Sequence, residues 1–82
     1  MIPITNSFDL IVLRCLSKSE SSNASEIAER FDRSRPYVRT RLITLAETGY
    51  VRTIGVNPRF QAYELTPMGA AVVRRVNAVV DS

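Results

Sequence analysis

Two helix starts stand close together in the middle of this chain, and little more than a tight turn fits between the helices they begin. Asn23, followed three residues later by Glu26, forms a capping box, in which each side chain satisfies an amide donor left open at a helix start. Ser34 can cap again, and Pro36 follows in the next first turn, where a missing amide proton is tolerated. Ile27, Ala28 and Phe31 recur at helical spacing, which predicts a helix over 24–31, a short connection at Asp32 and Arg33, and a longer helix over 35–48. Gly49 closes the longer helix, because glycine most readily takes the left-handed conformation at a helix end. Val38, Leu42 and Leu45 form its buried stripe. The opposite side carries Pro36, Tyr37, Thr40 and Thr44, with Arg35, Arg39 and Arg41 toward the flanks.

The flanking segments complete a small domain. Phe8, Ile11, Val12, Cys15 and Leu16 recur at three- and four-residue spacing after Thr5, Asn6 and Ser7, any of which can cap a first helix. A serine-rich loop over 17–22 follows it. Beyond Gly49 the period changes: Tyr50 to Ile54 and Phe60 to Leu65 are rich in β-branched and aromatic residues, and Gly55, Asn57 and Pro58 supply a turn. Thr66 and Pro67 then start a last helix over 67–80, which carries Val72, Val73, Val76, Val79 and Val80. This valine stripe is longer than one small core needs, so it can pack on the first helix, pair with a symmetry mate, or do both.

Composition removes most chemistry. The chain of 82 residues is one domain at most, with no histidine and one cysteine, so the usual general base, the Cys/His zinc sets and an intramolecular disulfide are all excluded. No nucleophile–base pair or phosphate-cradling glycine loop is present, and the chain is expected to be no enzyme and to need no cofactor or metal. No small-molecule ligand is evident. The N-terminus lacks a basic start and no apolar run approaches ~18 residues, so no membrane association and a cytoplasmic location are expected. Cys15, inside an apolar stretch, reads as a small core residue.

Charge supplies the positive clue. Lys+Arg number 11 against 8 Asp+Glu, a net +3, and all the basic residues but Lys18 are arginine. Residues 30–59 hold Arg30, Arg33, Arg35, Arg39, Arg41, Arg52 and Arg59 against Asp32 and Glu47, so this central block is +5 and the rest is −2. Such asymmetry is expected when one surface faces a polyanion.

Three helices, a two-stranded wing and a C-terminal helix follow the order of a winged helix-turn-helix, mainly α with a small β-hairpin. The stretch Ala24-Ser25-Glu26-Ile27-Ala28-Glu29-Arg30-Phe31, then Ser34-Arg35-Pro36-Tyr37-Val38-Arg39-Thr40-Arg41-Leu42 through Gly49-Tyr50-Val51, resembles the bacterial and archaeal winged-helix regulators. Tyr63, Leu65, Thr66 and Gly69 are similar to their second wing strand and its entry into the last helix. The run from Ser34 to Leu42 is especially like the repressor-like proteins of haloarchaea and their viruses. Two positions depart from the pattern: Asp32 stands where many members turn on glycine, and Arg33 where many bury an aliphatic residue, which suggests a longer or more open turn.

The resemblance implies a sequence-specific duplex-DNA-binding transcriptional regulator, a repressor, reading the major groove with the third helix and the backbone or minor groove with the wing over 55–60. At about 1.5 Å per residue that helix is about 21 Å long and fits the groove. Arg35 or Arg41 can present a bidentate fork to guanine, Pro36 offers apolar contact, and Thr40 and Thr44 lie on the outer side. Tyr37 either meets a thymine methyl or a phosphate, or packs its ring against the turn. Ser34 and the open amides behind it can hold a phosphate, and Arg52 and Arg59 can reach the backbone from the wing. Arg39 is a further candidate, with solvent as its alternative. A homodimer paired through the C-terminal helix would bind an inverted-repeat operator. The competing readings are a winged-helix protein-interaction module and a nonspecific architectural DNA-binding protein.

Overall fold

A computed structural model describes residues 6–19, 21–55 and 61–80, apart from the Val80 side chain. Its elements are α1 (Ser7–Ser17), β1 (Ser22–Asn23), α2 (Ala24–Arg30), α3 (Arg35–Glu47), β2 (Val51–Ile54), β3 (Ala62–Leu65) and α4 (Pro67–Val80). Each helix start that the caps predict is present. Asn6 accepts from the Phe8 amide, Asn23 and Glu26 close their reciprocal box, and Ser34 accepts from the Tyr37 amide. Thr66 begins α4, its hydroxyl accepting from Gly69 N–H while donating to the Gly49 carbonyl.

The connection between α2 and α3 is tight, against the expectation of an opened turn. The Asp32 amide donates to Glu29 and the Arg33 amide to Ala28, the two bonds of a Schellman ending. Asp32 holds the left-handed position at φ 52°. Arg33 needs no burial there, because its guanidinium lies 5.5 Å above the Phe8 ring. Gly49, at φ 90°, ends α3 in the same way, with its amide on Ala46 and that of Tyr50 on Leu45.

The two-stranded wing expected is present as β2 and β3, and the sheet holds one strand more. β2 and β3 pair antiparallel with Val51 opposite Leu65 and Ile54 opposite Ala62, and β1 joins the other edge of β3 through Ser22 opposite Tyr63. The order is therefore β1-β3-β2, and part of the serine-rich loop is a strand. Asn57, Pro58 and Phe60, proposed for the hairpin, lie outside the described residues, as does Thr5. The core joins Phe8, Val12, Leu13 and Leu16 of α1 to Ile27, Val38, Leu42, Leu45, Val51 and Tyr63. Val72, Val73 and Val76 bring α4 into it. Cys15 is buried, as expected of a small core residue.

Candidate nucleic-acid interface

Burying Val38, Leu42 and Leu45 dictates what α3 shows to solvent. One turn apart, Pro36 and Thr40 stand outward with Ile43 and Glu47. Arg35 and Arg39 are exposed on one flank, and Tyr37, Arg41 and Thr44 follow one another along the other. The Thr40 and Thr44 hydroxyls donate to the carbonyls of Pro36 and Thr40, so each leaves an oxygen as acceptor and a methyl group for contact. Ser34 keeps its hydroxyl on the Tyr37 amide as a cap. No acidic residue occupies the first turn of α3, where helix dipoles favour one, and Arg35 stands there instead.

Three of the predicted contact residues have side-chain partners on another element. Tyr37 packs its ring on Phe8, with centroids 5.5 Å apart, while remaining 41% exposed. Both alternatives for that ring are therefore compatible with its place. Arg52 lies opposite Glu64 on the wing and donates from Nε to its carboxylate at 2.5 Å, an exposed pair of small energetic weight. Arg41 donates from Nε and Nη2 to the two oxygens of Asp9 at 2.8 and 2.5 Å. The hydrogen bond to Asp9 is the main cause raising the Arg41 pKa above its ordinary value; burial opposes it, and the nearby charge of Asp9 adds to it. The guanidinium thus stays charged at any working pH. Arg59, the remaining candidate, lies outside the described residues.

Sequence reasoning passed over four residues at this site. Asp9 shares a stripe of α1 with Leu13 and Leu16, and a carboxylate on a core-facing stripe demands a partner. Ile43 lies off the buried stripe of α3 and is 42% exposed, an apolar side chain on the outward side of the helix. Arg33, set aside as a misfit in the turn, stands beside the start of α3 on its aromatic support, and Arg30 lies over Phe31.

Among solved structures, the chain is similar to the YusO protein of Bacillus subtilis, at 28% identity and a TM-score of 0.79 over 85% of this chain and 51% of that one. It also superposes on the transcriptional regulator BldR of Sulfolobus solfataricus, at 24% identity and a TM-score of 0.80 over 93% and 55% of the two chains. For reduced MarR of E. coli the values are 21% identity and a TM-score of 0.85 over 95% and 59%. The chain spans little more than half the length of these proteins. No curated protein matches it in sequence. The profile of the IclR helix-turn-helix domain matches residues 10–55, a segment that runs from α1 to the end of β2. With more than half of its sequence matched, the chain belongs to the IclR helix-turn-helix domain family.

Proposed function

We propose that the chain is a sequence-specific transcriptional repressor that occupies duplex DNA as a homodimer in the cytoplasm. The observation that carries this reading is the start of α3, where exposed Arg35 and Arg39 stand with no acid in the first turn. Cations at a helix N-terminus oppose the helix dipole, at about 0.3–1 kcal/mol each, so this placement weakens the isolated helix and suits a surface that meets phosphates. Arg35 and Arg39 reach bases or backbone, Pro36, Thr40, Ile43 and Thr44 meet base edges and thymine methyls, and Ser34 lies against a phosphate. Tyr37 and Arg41 contribute from the α1 side, and Arg52 and Arg59 from the wing.

Pairing of α4 with a symmetry mate sets two recognition helices about 34 Å apart, one DNA turn, and makes the operator an inverted repeat. Selection of bound duplexes from a random pool, followed by titration with salt, tests the whole reading. An inverted repeat with half-sites one turn apart is expected, together with affinity that falls by decades as salt rises through counterion release. Absence of duplex binding at low salt, or equal binding to all sequences, would sink it.

A further inference from the structure

The Asp9–Arg41 pair joins the start of α1 to the middle of α3, and its geometry is unequal on the two sides. Asp9 is 4% exposed and both its oxygens are taken by one guanidinium. The Arg41 side chain is 24% exposed. Nε and one hydrogen of Nη2 face the carboxylate, which leaves both hydrogens of Nη1 and the second hydrogen of Nη2 without a partner among the described residues. A guanidinium has two bidentate edges, and the one left over, Nη1 with Nη2, is the edge that matches O6 and N7 of guanine. A free arginine must freeze several rotatable bonds to present that edge, whereas one clamped along its Nε side already has its plane and direction set.

We infer that Asp9 is a positioning residue for DNA readout: by gripping the inner edge of Arg41 it aims the outer edge at a guanine. This rests on the proposed operator binding and adds a determinant outside the recognition helix. Tyr37 lies one turn before Arg41 on the same flank of α3.

The test compares the base preferences of the full chain with those of Arg41→Lys, Arg41→Ala and Asp9→Asn, using random-pool selection and then single-base variants of the recovered duplex. Thermal melting follows each variant's folding. Arg41→Lys keeps a cation on Asp9 without a fork, so it folds and loses preference for guanine at one position by about ten-fold. Asp9→Asn, which keeps the shape of the side chain, is expected to lose preference at that same position to a similar degree, and to add nothing further in an Arg41→Lys background. Preferences at all other positions should stay within about two-fold.

Equal losses at every position would make the pair a structural bolt alone and overturn the inference. Loss of the guanine preference in Arg41→Lys but not in Asp9→Asn would do the same, showing that Arg41 reads unaided. Tighter binding of Asp9→Asn to all sequences would mean that Asp9 withholds Arg41 from DNA, the opposite role. If the unaltered chain selects a defined duplex and none of the variants shifts it, only this inference falls; if it selects none, the operator reading falls with it.

Discussion

Asp32 closes α2 in a conformation that costs an ordinary L-residue roughly 1–2 kcal/mol and glycine nothing. Aspartate tolerates it better than most, so the tight turn survives without a glycine. Replacing Asp32 by Gly is expected to raise the urea midpoint by an amount equivalent to about 0.5–1 kcal/mol, whereas Asp32→Val should lower stability by about 1–2 kcal/mol. Both changes leave the exposed face of α3 untouched, so the specific affinity measured below the unfolding transition should not follow them. The residue scale also shows where reading a sequence stops. That the core-facing Asp9 needs a partner was legible from its stripe on α1, but which of ten arginines answers it depends on how α1 crosses α3.

The joint between the wing and α4 depends on a missing side chain. A β-carbon at Gly69 would collide with the Tyr50 carbonyl oxygen and crowd a Leu65 methyl, both within the same small volume. Helix propensity alone predicts that Gly69→Ala gains up to about 1 kcal/mol. The close approach predicts the reverse, a loss of about 1–3 kcal/mol, because backbone must move to admit the methyl group. Chemical denaturation of Gly69→Ala separates the two outcomes by sign. β1 belongs to the same scale: Ser22 and Asn23 have no alternating apolar pattern, and they form a strand only because the free edge of β3 is beside them. Periodicity cannot report a pairing that neither residue favours on its own.

For the molecule as a whole, the valine stripe of α4 divides between two surroundings. Val72, Val73 and Val76 are buried against the rest of the core, while Val79 is 68% exposed. Burying three of these valines on the domain's own core fulfils one half of the sequence expectation, and Val79 is what α4 brings to the proposed pairing with a symmetry mate. Val79→Glu is expected to shift sedimentation from dimer to monomer at micromolar concentration while the thermal midpoint of the monomer changes little. A dimer that persists in this variant would place the pairing surface elsewhere. Specific DNA affinity should fall together with the dimer, because two half-sites held by one body bind far more tightly than either alone.

The sequence alone settled the helices, their boundaries to within a residue or so, the buried stripes and the central basic block, because caps, proline, glycine and apolar spacing act locally. It also marked α3 as the helix with a cationic start. Only the tertiary structure decided that Asp9 meets Arg41, that Phe8 supports both Tyr37 and Arg33, that β1 completes the sheet, and that Gly69 must be bare. Each of those facts is a meeting of segments distant in the chain, fixed by how helices cross and strands register rather than by what any segment prefers by itself.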